Sequence, residues 1–173
     1  HKAQVVDFVL GRFVALLQDQ DISTDVIQAV SARRPTQPKD YLARINAVSE
    51  FKQREEAEAL AAANKRVANI LSKQADGGID SSISESLLVE EAEVALYRQL
   101  IDAQSNVSAA LEEEDYNKIL STLATLRSVI DAFFDNVMVM ADDEAVKRNR
   151  LALLSLLRQL FLTTADISLL AKA

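Results

Sequence analysis

The 173-residue sequence contains no cysteine and no tryptophan, one histidine, three glycines and two prolines. Without cysteine, disulfides, thiolate metal sites and cysteine nucleophiles are excluded. The single histidine is the first residue, where we interpret it as the remnant of an affinity tag; apart from it, no imidazole is available for a Ser-His triad or as a metal ligand. No apolar run approaches 18 residues, so no membrane span is predicted, and no signal-peptide pattern opens the chain. We therefore expect a cytoplasmic protein.

The residues that are present favour helices. The apolar fraction is 49% but only 5% is aromatic, and most of the apolar residues are Ala, Leu, Val and Ile. Many helix formers and few helix breakers are typical of long helices rather than of a strand-and-turn fold. The sequence therefore predicts an all-α fold, a helical bundle of six or seven helices.

The apolar periodicity and the capping residues place these helices along the chain. Ser23 or Thr24 is a candidate cap for the second helix, Pro38 suits the first turn of the third, and Asp115 and Asp142 are candidate N-caps of the last two. Two glycines, two aspartates and three serines predict a loop over residues 75–84. The predicted helices cover residues 2–20, 24–32, 38–51, 54–74, 89–114, 116–137 and 143–173, the last with a break near residues 163–168.

The charge of the chain is uneven. The formal net charge is −7, but residues 1–75 carry eleven Lys and Arg against nine Asp and Glu, whereas residues 76–173 carry eight against seventeen. An acidic chain is a poor candidate for nonspecific nucleic-acid binding, so any such binding has to use local basic patches. The acidic run 112–115 is interpreted as a solvated helix end rather than a cation site.

Several polar residues fall on faces that are otherwise apolar. In the last helix, Arg150 and Arg158 project from the side of Leu151 and Leu154. A buried guanidinium needs a carboxylate or an anionic ligand, which leaves two alternatives. The first is an internal ion pair with Asp131, Asp135 or Asp166, and the second is contact with RNA, for which we favour Arg150, with Arg158 favoured as the structural partner. Asn64, within the apolar face formed by Ala57, Leu60, Ala63, Val67 and Leu71, is interpreted as a core amide bonded to a neighbouring carbonyl.

No arrangement of residues in the sequence supports catalysis. There is no glycine-rich phosphate loop and no zinc pattern, and no pair of carboxylates stands at a spacing that singles out acid–base work. We therefore predict no catalytic residues and no metal ligands in this chain.

Two long stretches nevertheless resemble a known family. Residues 59–73 and 129–170 resemble the C-terminal part of bacterial glycyl-tRNA synthetase β subunits, and the segments before residue 52 resemble the region preceding it. The implied module is the helical anticodon-binding domain named DALR. In that wider family an alanine-rich helix is similar to residues 62–71, an aromatic segment to 133–137, and a closing R-x-x-R-L-x-L-L pattern to 147–154, where this chain has Lys147 at the first basic place.

The resemblance implies a division into a helical segment, residues 1–52, and a DALR-like domain, residues 53–173. It implies contact with the anticodon stem-loop of glycine tRNA, and as partners the remainder of the β subunit and an α subunit, in an assembly of two of each. It implies no cofactor in this fragment, ATP and magnesium belonging to the active site elsewhere, and neither DNA nor a membrane as a partner. The competing interpretation is a helical protein-interaction or scaffold domain without RNA contact. The residues expected to contact RNA are Arg33, Arg34, Lys65, Arg66, Asn136, Lys147, Arg148 and Arg150.

Overall fold

The computed structural model describes residues 11–12, 15–16, 22–74 and 82–171, and within these ranges it contains helices and connecting turns but no strand. The α-helices that lie wholly within them are α1 (Thr24–Ser31), α2 (Pro38–Lys52), α3 (Ala57–Ser72), α4 (Glu91–Glu112), α5 (Tyr116–Ala124), α6 (Arg127–Asn136) and α7 (Glu144–Leu162). Two 3₁₀ helices, Glu85–Leu87 and Ile167–Leu170, precede α4 and follow α7. The all-α prediction is confirmed. Most of the predicted first helix and residues 75–81 of the predicted loop lie outside the described residues.

The beginnings of the helices follow the capping chemistry closely. Pro38 occupies the first turn of α2, and the Asp115 side chain accepts a hydrogen bond from the Lys118 N–H at the start of α5, as predicted. The prediction of Asp142 as the cap of α7 is wrong by one residue. Asp143 is in the extended conformation that an N-cap requires, and its Oδ1 accepts from the N–H groups of Ala145 and Val146 at 2.9 and 3.1 Å.

The single helix predicted over residues 116–137 is two helices, α5 and α6. At the junction the main-chain N–H groups of Thr125 and Leu126 bond to the carbonyls three residues earlier, and the Thr125 hydroxyl also donates to the Thr122 carbonyl at 2.6 Å. These tighter bonds end the α-helical ladder without a glycine or proline, and for this reason the break was missed. The change of direction keeps both Leu123 and Phe133 in the core.

Helix α4 ends in a Schellman motif formed without glycine. The Asp115 N–H bonds to the Ala110 carbonyl at 2.9 Å, the Glu114 N–H bonds to the Leu111 carbonyl at 3.0 Å, and Glu114 itself has a positive φ of 53°. The acidic run 112–115 is exposed, as predicted.

Helix α3 is the central element. It packs against α7 and the 3₁₀ helix Ile167–Leu170 through the alanine-rich face predicted from the sequence. Asn64 lies fully buried on this face, and its Nδ2 donates to the Leu60 carbonyl at 2.8 Å, which confirms the interpretation of Asn64 as a core amide. Short side chains allow the close approach of helices that this packing requires.

Helices α1 and α2 share this core with the rest of the chain. The Asp166 N–H donates to the Ala29 carbonyl at 2.8 Å, and Arg44 donates to the carbonyls of Thr163 and Thr164 at 3.0 and 2.9 Å. The Tyr116 hydroxyl donates to Asp40, which links α2 with α5. The described part of the chain thus forms one continuous hydrophobic core, and the predicted division at residue 53 stays a prediction. No helix in the described ranges is long and apolar enough to cross a membrane.

Candidate nucleic-acid interface

A cation and an aromatic ring meet where α3 faces the C-terminal half of α6. The Arg66 guanidinium lies 4.3 Å from the centroid of the Phe134 ring, which is half-buried and packs edge-on against Phe133 at 5.5 Å. Arg66 and the adjacent Lys65 are both exposed. A guanidinium held over a ring loses little further freedom when a flat nucleobase stacks beside it, and stacking of this kind is common in single-stranded RNA recognition.

The segment that follows α6 continues this surface. We name residues 137–141 the bridge, since they connect α6 with the turn before α7. Val137 and Val139 are 7% and 8% exposed, whereas Met138 and Met140 are 70% and 46% exposed. Alternation of this kind is typical of an extended segment with one side on the core. The Gln74 Nε2 lies 4.0 Å from the Met140 sulfur, so the bridge runs beside the C-terminal end of α3.

Arg150 lies beneath the bridge and is 6% exposed. Its Nη2 is 2.8 Å from the Glu93 Oε1, and its Nη1 donates to the Met138 carbonyl. The sequence indicated that Arg150 would need a partner but did not identify Glu93, which stands 57 residues away. The prediction that Arg150 contacts RNA stays a prediction, but its burial and its two protein partners favour the structural alternative.

Glu93 owes its position to the start of α4. It is the third residue of that helix, and its side chain accepts from the Glu90 N–H at 3.0 Å while the Glu90 side chain accepts from the Glu93 N–H, a capping box. The same Oε1 therefore serves both the helix cap and the Arg150 pair. Removing one charge of a pair buried this fully costs about 3–5 kcal/mol, because the other charge stays in the core without a partner.

Arg158 forms the second ion pair of α7, and here the sequence named the right carboxylate. Its Nη1 lies 2.9 Å from the Asp166 Oδ1, and the two side chains are 14% and 19% exposed. Burial alone would raise the pKa of Asp166, but the hydrogen bonds from Arg158 and Ser168 outweigh it and lower the pKa below its ordinary value. Arg158 is thus a structural partner, as favoured from the sequence.

The remaining basic candidates lie on other elements. Arg33 and Arg34 are exposed on the turn after α1, where Arg34 has a positive φ of 54°. Lys147 is partly buried, with its Nζ 3.2 Å from Glu144. Arg148 is exposed beside a shallow depression lined by Ser82, Ile83, Ser84, Leu87, Glu144, Ala145 and Asn149. Only Lys65, Arg66 and Asn136 therefore belong to the elements that form the Phe134 surface.

Asn136 closes the C-terminal end of α6. Its side chain is exposed, and its Nδ2 donates to the Ala132 carbonyl at 2.9 Å. The amide oxygen points away from that bond and is free to accept from a base edge, which suits the role expected from the sequence.

Asn149, a residue that the sequence did not single out, fixes the segment before α4. Its Oδ1 accepts from the Ser84 N–H at 2.7 Å and its Nδ2 donates to the Ser84 carbonyl at 3.1 Å. The side-chain amide thus pairs with a peptide group as a neighbouring strand would. A local pattern gave no signal for this contact, since the two residues are 65 apart.

The fold and the surface together define a helical domain that presents exposed cations, a ring and an exposed amide on adjoining elements, as single-stranded nucleic-acid binders do. Residues 60–168 match the family model of the DALR anticodon binding domain, and the chain belongs to that family. This confirms the resemblance seen in the sequence.

Curated relatives of the chain carry one name, glycine–tRNA ligase β subunit. The chain is 72% identical over 173 residues to that of Alteromonas mediterranea, with 99% of the chain and 25% of the relative covered. It is 56% identical over 171 residues to that of Vibrio atlanticus (99% and 25%) and 55% identical over 167 residues to that of Shewanella halifaxensis (96% and 24%). The chain therefore spans about a quarter of the length of these relatives.

Proposed function

We propose that this chain is the anticodon-binding portion of a glycine–tRNA ligase β subunit. It contacts the anticodon stem-loop of glycine tRNA and thereby positions the acceptor end at an active site outside this chain. The observation that carries the proposal is the match of residues 60–168 to an anticodon-binding family, in a chain whose relatives are glycine–tRNA ligase β subunits.

The Arg66–Phe134 surface supplies the chemistry that such contact needs. Bases in an anticodon loop are unstacked, so a base can lie against the Arg66 guanidinium or the half-buried Phe134 ring while Lys65 contacts a phosphate. The exposed Asn136 amide is placed at the adjoining helix end to read a base edge. Exposed Arg33, Arg34 and Arg148 would add phosphate contacts along the stem, and Lys147 and Arg150, both more buried, would contribute less.

The rest of the machinery belongs to other parts of the assembly. Relatives named β subunits imply a separate α subunit, and we propose an assembly of two α and two β subunits in which ATP, glycine and magnesium bind away from this chain. The role of this chain would then be to raise the local concentration of the correct tRNA and to fix its orientation.

A titration with tRNA tests the proposal. The 173-residue chain is titrated with labelled glycine tRNA and with the same tRNA carrying a different anticodon, at four salt concentrations between 50 and 300 mM. We expect the cognate anticodon to bind at least about tenfold more tightly, since good base contacts contribute about 1–3 kcal/mol each, and both affinities to fall with salt. Equal and weak binding of the two tRNAs at every salt concentration would contradict the proposal.

A matched pair of variants locates the contact. Arg66→Ala removes the stacked cation, whereas Arg98→Ala removes an exposed arginine of α4 that lies on none of the elements of this surface. Arg66→Ala should weaken binding of the cognate tRNA severalfold, and Arg98→Ala should leave it near the wild-type value.

The second candidate function is a helical protein-interaction domain, and the exposed Met138 and Met140 side chains are the observation that favours it. An apolar pair of this kind is also typical of a surface that packs against protein. If Met138→Gln/Met140→Gln abolishes association with the remainder of the β subunit or with the α subunit while tRNA affinity is unchanged, the second function is favoured for the bridge.

A further inference from the structure

We infer that the buried Glu93–Arg150 pair fixes the conformation of the bridge and supports tRNA binding without touching the RNA. The inference rests on the proposed function, because it assigns a positioning role within the same surface. It replaces the direct contact expected of Arg150 with an indirect one.

The conformation of the bridge depends on tertiary contacts. The bridge lies between the end of α6 at Asn136 and the cap of α7 at Asp143, so it has no helical ladder of its own. Val137 and Val139 anchor its inner side in the core. The Met138 carbonyl lies between these two anchors and is held by the Arg150 Nη1. An extended segment with so few hydrogen bonds changes conformation readily once one of them is lost.

Arg150 is itself held in place from the other side. Its Nη2 contacts the Glu93 Oε1, and Glu93 is 0% exposed in the first turn of α4. The planar guanidinium can satisfy a carboxylate and a carbonyl at once, which the single nitrogen of a lysine cannot do from the same backbone position. The pair therefore connects the beginning of α4, the middle of α7 and the bridge.

The bridge adjoins the surface proposed for the anticodon. Phe134, under the Arg66 guanidinium, precedes the bridge by three residues, and Gln74 at the end of α3 lies against Met140. If Met138 is released, its exposed side chain and that of Met140 no longer stand in fixed positions beside Arg66 and Asn136. Ordering them again when the base binds then costs affinity.

The sequence offers a probe confined to the bridge, because its two methionines are Met138 and Met140. With 13C-labelled methionine methyl groups, the NMR spectrum of the chain reports on these two side chains alone. The test variant is Glu93→Gln/Arg150→Met, which removes both charges while the glutamine oxygen still accepts from the Glu90 N–H. The matched control is Arg158→Met, which breaks the other buried pair of α7 away from the bridge. Arg150→Lys serves as a conservative variant that keeps the charges and the fold.

In the double variant we expect the free-state methyl signals to shift and the affinity for the anticodon stem-loop of glycine tRNA to fall about tenfold. The slope of log affinity against log salt should stay at the wild-type value, since no phosphate contact is lost. Arg150→Lys should lose affinity by a smaller factor with the same slope. Arg158→Met should lower the melting temperature but leave both the methyl signals and the affinity unchanged.

Other results overturn the inference. A slope that becomes shallower by about 0.7 or more would show that Arg150 contacts a phosphate directly. Unchanged methyl signals and unchanged affinity in the folded variants would show that the pair does not position the bridge, and an equal loss of affinity in Arg158→Met would reduce the effect to general stability. Failure of the wild-type chain to bind the stem-loop would overturn the proposed function itself, and the inference with it.

Discussion

The Arg158–Asp166 pair allows a stability prediction in which charge and hydrogen bonding are separated. Asp166→Asn removes the charge but keeps an oxygen for the Ser168 N–H, whereas Asp166→Ala removes both. Exposed pairs contribute about 0–1 kcal/mol and fully buried ones cost about 3–5 kcal/mol when broken. Since the side chains are 14% and 19% exposed, we expect an intermediate loss of about 1–2 kcal/mol for Asp166→Asn and roughly 1 kcal/mol more for Asp166→Ala.

The assay is urea unfolding followed by circular dichroism, at pH 7 and at steps down to pH 3. The loss at pH 7 corresponds to a fall in melting temperature of about 3–6 °C for Asp166→Asn in a chain of this length. Because the pKa of Asp166 is lowered in the folded state from its ordinary value of 3.8, its contribution is fully present above that value and is lost as the pH falls through the folded pKa. The difference between wild type and Asp166→Asn should therefore shrink below about pH 4.

Two results would refute this reasoning. A difference that stays constant between pH 7 and pH 3 would mean that the charge contributes nothing and that the asparagine acts through packing. Equal stability of wild type and Asp166→Ala would mean that neither the ion pair nor the Ser168 hydrogen bonds stabilise the C-terminal end of the core. Arg98→Ala, at an exposed site on α4, controls for the loss of an ordinary surface charge and should change the free energy of unfolding by less than about 0.5 kcal/mol.

The remaining predictions concern the core and one turn. Glu114→Gly should raise the free energy of unfolding by about 1 kcal/mol in urea titration, because glycine adopts the φ of 53° without strain. Burial and the hydrogen bond to Asp40 raise the pKa of Tyr116 to about 12, so the stability from this tyrosine should be present below pH 10 and be lost as the pH rises towards 12; in an absorbance titration Tyr116→Phe should remove that late transition. Phe133→Ala, at a fully buried ring, should cost about 3–5 kcal/mol, measured by thermal unfolding. A cost under about 1 kcal/mol would mean that Phe133 does not lie in the core.

The sequence predicted what depends on neighbouring residues. Pro38 and Asp115 begin helices because a fixed φ and a short carboxylate act on the first turn, and the buried face of α3 repeats with the helical period. The break between α5 and α6 was missed because it rests on two tightened hydrogen bonds and a threonine hydroxyl, none of which has a distinctive residue type.

The candidate site was predictable only in part, for the same reason. Lys65, Arg66 and Asn136 were found because polar residues in an otherwise apolar pattern stand out. Glu93 was not, because in the first turn of α4 a glutamate is ordinary and its burial comes from Arg150, 57 residues later. The alternation of valine and methionine in the bridge was the one local signal that could have indicated an extended segment with an exposed side.

The hydrogen bonds that join Ala29 to Asp166 and Arg44 to Thr163 and Thr164 have a consequence for biosynthesis. Helices α1 and α2 leave the ribosome more than a hundred residues before the segment that completes their packing is translated. Their apolar faces thus stay without their final partners while most of the chain is made. Folding of the domain finishes late, and an mRNA truncated before codon 163 yields a product that exposes those faces to chaperones and proteases.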